Sequence, residues 1–146
     1  MSTELIFSIC NNGVLIPWLM LILLPTWKWT ERLVLRWQVF PLLLAIVYLV
    51  LTLIDVFSGK GGGADFTSFE SIKSMFMREE VVLVGWIHYL VFDLFVGTWE
   101  LKEAQRLKIP HWWLVPCLLL TLLLGPIGFL LFCGLRSVYL PKEGIA

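Results

Sequence analysis

The chain has 146 residues, of which 59% are hydrophobic and 15% charged. A soluble domain is about 45 to 50% apolar, so this composition is typical of a membrane protein with one domain. Eleven basic and eleven acidic side chains cancel, which removes the electrostatic basis for a nucleic-acid partner.

Four apolar stretches are each long enough to cross about 30 Å of hydrocarbon as a helix. They cover approximately residues 5–24, 33–57, 81–99 and 112–133. Short turns join the first two stretches and the last two, which favours antiparallel neighbours. We therefore predict an all-α fold, a bundle of four transmembrane helices that forms a single multi-pass integral membrane domain over residues 1–146.

The one long connection, residues 58–80, has two parts. Its glycine-rich start is flexible by composition. Residues 67–70 then fit a capping box, and apolar side chains recur at spacings of three and four. These side chains are Phe66, Phe69, Ile72 and Phe76. We predict a short amphipathic helix over 66–77 that either anchors in the membrane interface or folds over the bundle as a lid.

Four spans would place both termini and the long connection on one side and the two short turns on the other. The turn side would carry six basic residues and the opposite side five. Those of the turn side lie closer to the helix ends, where the positive-inside rule applies. The pattern therefore favours cytoplasmic turns and external termini.

The third stretch contains His88 and Asp93 within an apolar run. An ionised Asp near the bilayer centre costs about 2.5 to 3.5 kcal/mol, so such a residue usually has a partner or a function. At 100° per residue Asp93 shares a helix face with Trp86, Gly97 and Glu100. Tyr89 lies at the edge of that face, and His88 lies about 140° away from Asp93. The two titratable groups can meet in one pocket only if this helix is central.

Other polar or small residues are candidates for the same pocket. Asn12 lies near a kink expected at Pro17, and it either bonds a neighbouring helix or contacts a ligand. Asp55 is either a hydrated helix end or part of the polar site. Gly125 and Gly128 allow a close approach by either a neighbouring helix or a ligand.

Several classes of site are disfavoured. His88 and Asp93 match neither a di-iron nor a zinc pattern, so we predict no metal site. No nucleophile lies in an activating pattern beside the histidine. Cys10, Cys117 and Cys133 lie in apolar stretches and are predicted to pack rather than to form a disulfide.

Three parts of the sequence carry a resemblance to a known family. They are the string at residues 85–99, the string at 116–128, and the earlier residues Asn12, Pro17, Trp18 and Pro25. Together they resemble the abscisic-acid-deficient family of small membrane proteins, whose plant plastid members are tied to neoxanthin synthesis. The chain lacks a plastid-targeting extension, so the resemblance implies a bacterial inner-membrane relative of proteins that lie in plastid membranes in plants.

The resemblance implies a membrane-embedded protein that modifies a carotenoid or another isoprenoid, as an epoxide-to-allene isomerase. Such an isomerisation needs an acid at the epoxide oxygen and a base at a polyene carbon, and it needs no cofactor. We assign these catalytic roles to His88 and Asp93, with Asn12 and Tyr89 orienting the oxygen groups. The remaining predicted substrate-binding residues are Trp18, Asp55, Trp86, Phe92, Gly97, Glu100, Gly125 and Gly128.

Two alternatives to catalysis remain open at this point. The same pocket suits a protein that binds a carotenoid or another lipid without changing it. A structural or assembly subunit would instead pair His88 with Asp93 between helices. The expected partners are membrane lipids and a hydrophobic polyene or isoprenoid ligand, with a homo-oligomer as a further possibility.

Overall fold

The computed structural model describes residues 2–59 and 66–140, and within these ranges the chain is all-helical and without strands. Seven α-helices lie in this part of the chain, with a π-helical segment, Thr30–Arg36, after the second. The helices are α1 (Thr3–Gly13), α2 (Leu15–Leu23), α3 (Val39–Phe57), α4 (Phe69–Met75), α5 (Glu79–Arg106), α6 (His111–Leu124) and α7 (Pro126–Tyr139).

Three segments are long and apolar enough to span a membrane: Thr3–Leu23, which joins α1 and α2, then α3, and α5. They confirm a helical membrane protein. The second predicted span begins six residues later than expected, because Thr30–Arg36 is π-helical and Gln38 has a φ of 48°. The third continues past its predicted end, since the charged residues up to Arg106 remain helical.

The predicted helix over 112–133 is not continuous. Gly125 has φ 45° and ψ −95°, a conformation that glycine adopts far more readily than other residues. Pro126 follows as the first residue of α7, where its missing amide is tolerated. A Cβ atom on Gly128 would lie 2.1 Å from the backbone nitrogen of Thr121. The chain therefore turns back at Gly125, and α6 and α7 form a helical hairpin of two helices with 14 residues each.

The short helix predicted in the long connection is α4. Its N-cap is Ser68, whose Oγ accepts a hydrogen bond of 3.1 Å from the amide of Ser71. Phe66, Phe69 and Phe76 are exposed. An interfacial position for α4, like the bundle of four transmembrane helices, stays a prediction. The glycine-rich residues 60–65 lie outside the described part of the chain.

The chain divides into two compact units. Unit 1 comprises Met1–Leu15 and Phe40–Phe92, and unit 2 comprises Ile16–Val39 and Asp93–Ala146. The boundary falls within α5, so His88 belongs to unit 1 and Asp93 to unit 2. The buried apolar side chains of unit 1 include Cys10, Val14, Leu44, Leu83, Ile87 and Leu90. Those of unit 2 include Trp18, Leu21, Val34, Leu94, Leu101, Leu114, Leu118 and Phe132.

Candidate functional site

A cavity of about 640 Å³ lies in unit 1 between α1, α3 and the first turns of α5. Its volume is within the range of about 300 to 1,000 Å³ that is usual for small-molecule sites. Apolar side chains form most of its walls, among them Ile6, Ile9, Ile46, Val50 and Leu83. From Ile46 to Asp55 the wall contributed by α3 is about 14 Å long, at 1.5 Å per residue. The cavity therefore suits an elongated apolar group.

Polar side chains gather at one end of this cavity, where α1 and α5 begin and α3 ends. They are Thr3, Asp55, Ser58 and Glu80. The guanidinium of Arg78 donates to the carboxylate of Asp55, and both side chains are less than one-third exposed. Ser58 Oγ donates to the backbone oxygen of Asp55 at 2.8 Å. These contacts hold Asp55 in place at the polar end.

A second cavity of about 410 Å³ lies beside the start of α1 and of α5. Phe7 and Trp86 line it, with ring centroids 5.9 Å apart. The indole nitrogen of Trp86 donates to Asn11 Oδ1 at 3.1 Å, whereas the predicted Asn12 is exposed and its amide donates to Ser8. The structure thus brings Trp86 to a cavity, and its polar partner is Asn11 rather than Asn12.

His88 lies on an exposed part of α5. Its ring centroid is 4.6 Å from that of Phe92 and 5.7 Å from that of Tyr48. Tyr89 lies on the other side, with its ring 5.4 Å from that of Trp86. None of His88, Tyr89 and Phe92 lines either of the two cavities described above.

In unit 2, Asp93 lies against the turn of the α6–α7 hairpin. A Cβ atom on Gly125 would be 2.9 Å from Asp93 Oδ1 and 3.2 Å from Oδ2. The carboxylate therefore occupies the space that a side chain at position 125 would need. Because Gly125 immediately precedes α7, the carboxyl group lies near a helix N-terminus, where the helix dipole favours its ionised form.

Glu100 is fully buried in the same unit. Thr121 Oγ1 donates to Glu100 Oε1 at 2.9 Å, and Glu100 Oε2 has no hydrogen-bond partner among the described residues. Asp93 and Glu100 both contact the hairpin, seven residues apart along α5. Two residues of the face predicted from the helical angle therefore contact the hairpin, Asp93 at its turn and Glu100 at α6.

The glycines predicted to bind substrate make packing contacts in unit 2. A Cβ atom on Gly97 would lie 2.6 Å from Cη2 of Trp18, which is itself 2% exposed. Gly128 meets the backbone of Thr121, as described above. The contact of Gly128 supports its packing alternative, and a role of Gly97 or Gly128 in ligand binding stays a prediction.

Two charged contacts were missed by the sequence reasoning. Arg78 pairs with Asp55, 23 residues away, and Arg136 Nε donates to Glu103 Oε1 at 2.7 Å, 33 residues away. Glu103 also receives two hydrogen bonds from Arg106. No local periodicity relates partners at such separations, so nothing in the sequence pattern predicts them. Within residues 2–59 and 66–140, no three His, Cys, Asp or Glu side chains gather as a metal site would require.

One comparison with known proteins gives a match. A model of the ABA4-like family, described as ABA DEFICIENT 4-like, matches residues 5–132. No curated protein and no solved structure matches the chain significantly.

Proposed function

Because the chain belongs to the ABA DEFICIENT 4-like family, we propose that it is a multi-pass membrane protein that binds and modifies an oxygenated carotenoid or a related isoprenoid. Membership of this family suggests a role related to carotenoids and neoxanthin. The observation that carries the proposal is the cavity of unit 1, which has apolar walls and a polar end.

The cavity matches the two chemical parts of such a ligand. A carotenoid chain is a rigid hydrocarbon, and burial of its surface against apolar walls is favourable at about 25 cal/mol per Å². An oxygen on the end group needs a hydrogen-bond partner once it leaves water. Asp55, Ser58 and Glu80 supply such groups at one end of the cavity. The ligand would therefore lie along α3 with an oxygenated end group beside Asp55.

The modification that we propose is the isomerisation of an epoxide to an allenic alcohol. An acid donates a proton to the epoxide oxygen, and the carbon–oxygen bond opens. A base removes a proton from the adjoining polyene carbon, and the electron pair forms the new double bond of the allene. The product has the same atoms as the substrate, so no oxidant or reductant takes part.

Two pairs of residues are candidates for the acid and the base. His88 and Asp93 are the pair predicted from the sequence. Asp55 and Glu80 are favoured by their place in the cavity wall, because a proton donor must reach the reacting oxygen. The acid and the base would be the first pair if Asp55→Asn and Glu80→Gln keep the activity while His88→Ala and Asp93→Asn lose it.

The absence of His88 from the walls of both described cavities favours a second candidate function. In this alternative the protein holds a carotenoid without converting it. Purified protein incubated with an epoxycarotenoid distinguishes the two, with the pigment extracted and separated by chromatography. Appearance of the allenic isomer supports catalysis, and a bound but unchanged pigment supports the binding function.

The cavity itself can be tested with a pair of matched variants on α3. Val50 lines the cavity, whereas Leu49 is 53% exposed and is not among the lining residues. Val50→Trp should fill the cavity and lower pigment retention at least tenfold, while Leu49→Trp should leave it within twofold. Equal retention by both variants would show that the ligand does not bind in this cavity.

A further inference from the structure

The contacts of α5 with the hairpin define the direction of each arm. Asp93 of α5 lies at Gly125, and Glu100, further along α5, bonds Thr121, which comes earlier in α6. Residue numbers in α6 therefore decrease in the direction in which those of α5 increase. In α7, residue numbers increase in the same direction as in α5. The ring centroid of Trp99 is 5.3 Å from that of Phe132, and Glu103 bonds Arg136, which comes later in α7. Helix α6 therefore runs antiparallel to α5, and α7 runs parallel to it.

The hairpin is also too short to cross a bilayer. Each arm has 14 residues, which is about 21 Å of helix, against a hydrocarbon thickness of about 30 Å. Its turn lies at Asp93, in the middle of α5. Both the start of α6 and the end of α7 therefore lie near the Arg106 end of α5.

The end of α2 lies at this same end of unit 2. His111 Nε2 is 2.8 Å from the backbone oxygen of Ile22, and Gln105 Nε2 donates to the backbone oxygen of Pro25 at 3.1 Å. We call this region the turn end; it comprises residues 24–38, 102–113 and 136–140. The connection between α2 and α3, the connection between α5 and α6, and the end of α7 belong to it.

The turn end is strongly basic. Among the residues of the turn end, seven basic side chains accompany two acidic ones. The basic residues are Lys28, Arg32, Arg36, Lys102, Arg106, Lys108 and Arg136, and the acidic ones are Glu31 and Glu103. Five tryptophans of the same region are 47% to 85% exposed: Trp27, Trp29, Trp37, Trp112 and Trp113. Exposed tryptophan beside Lys and Arg is typical of the membrane–water interface on the cytoplasmic side.

We propose that the turn end of unit 2 is a surface for anionic phospholipid headgroups, and that α6–α7 enters and leaves the membrane on that cytoplasmic side. Lys and Arg clusters next to spanning helices attract the anionic lipids of this leaflet. Since Arg136 belongs to the turn end, the C-terminal end of α7 lies on the same face. This replaces the expectation that both termini are external, and it does not depend on the identity of the ligand in unit 1.

The lipid surface can be tested by tryptophan fluorescence, because seven of the eight tryptophans belong to unit 2. The protein is placed in bilayers that contain either brominated phosphatidylglycerol or brominated phosphatidylcholine. We expect at least twofold stronger quenching by the anionic lipid at low ionic strength. The difference should vanish in 0.5 M salt, at which screening is nearly complete beyond about 4 Å. Equal quenching by the two lipids in low salt would overturn the proposal.

Charge reversal supplies an independent measurement. The triple variant Lys28→Glu, Arg32→Glu and Lys108→Glu should lose the preference for the anionic lipid. Lys73→Glu, on the exposed surface of α4, should keep it. Retention of the full preference by the triple variant would show that these side chains do not form the lipid surface.

The path of the hairpin is tested by single cysteines in sealed vesicles, labelled with a maleimide that does not cross membranes. Val138 is 78% exposed near the end of α7. We expect Val138→Cys and Lys108→Cys to react from the same side of the membrane. Reaction of the two variants from opposite sides would mean that the last helices cross the membrane.

Discussion

The tightest backbone approach near the hairpin turn is at Gly128, so we expect Gly128→Ala to be strongly destabilising. The added Cβ would lie 2.1 Å from the nitrogen, 2.3 Å from Oγ1 and 2.5 Å from Cα of Thr121. Contacts of Cβ atoms below 3.0 Å are essentially never observed. Because two of these three atoms belong to the backbone of α6, no change of rotamer removes the clash, and the two helices must separate.

The expected magnitude follows from two opposing effects. Overpacking in a well-packed interior costs about 1 to 3 kcal/mol, and the rigidity of the backbone favours the upper end. Replacing a helical glycine by alanine returns about 0.5 to 1 kcal/mol. We therefore expect a net loss of about 2 kcal/mol in the free energy of unfolding, roughly a 30-fold decrease in the ratio of folded to unfolded protein.

Gly134 provides the matched control, since it lies in the same helix and nothing lies within 4 Å of its added Cβ. Gly134→Ala should raise the free energy of unfolding by about 0.5 to 1 kcal/mol. Both variants can be compared by reversible unfolding in mixed micelles, followed by circular dichroism. If Gly128→Ala is as stable as Gly134→Ala, the two arms of the hairpin do not contact each other as described.

Three further substitutions test individual contacts. Gly97→Ala should lower the free energy of unfolding by about 1 to 3 kcal/mol. The loss should be smaller in a Trp18→Phe background, because the indole ring is the group that the new methyl meets. Thr121→Val should lower the free energy of unfolding by about 1 to 3 kcal/mol, because it leaves the buried carboxyl of Glu100 without its hydrogen-bond donor. Asp55→Asn should cost about 1 kcal/mol or less, because the ion pair that it weakens is partly exposed.

Two of these substitutions have a matched control elsewhere in a helix. Thr98→Val removes a buried hydroxyl that donates only to the carbonyl of Phe95, so it should cost less than Thr121→Val. Gly13→Ala meets nothing within 4 Å and controls for Gly97→Ala. Equal costs for the two threonine variants would show that Glu100 does not depend on Thr121. A loss above about 3 kcal/mol for Asp55→Asn would contradict its assignment as a partly solvated pair.

The spanning helices could be predicted because hydropathy is a local property of the sequence. The apolar runs of α1–α2, α3 and α5 appear in the structure close to their predicted places. The turn at Gly125 could not be predicted in the same way. Apolar residues continue through both arms of the hairpin, so composition alone does not distinguish one long helix from two short ones.

The arrangement of the candidate residues could be predicted only where one helix determines the geometry. The rotation of 100° per residue placed Asp93, Gly97 and Glu100 on one face, and all three contact other parts of unit 2. The choice of Asn12 over Asn11 could not be made reliably. A shift of one residue turns the side chain by about 100°, and only the position of Trp86 decides which amide it meets.

The structure offers a different explanation for the acidic residues of α5 from the one that composition suggests. An acid within an apolar span is usually treated as a sign of function. Here the half-buried Asp93 lies at the hairpin turn, where non-helical backbone must be enclosed by protein. The buried Glu100 bonds Thr121 of α6. The hairpin thus accounts for the positions of both residues. The carboxyl groups that line the cavity of about 640 Å³ are instead Asp55 and Glu80, so these two residues of unit 1 are the first to substitute in an activity assay.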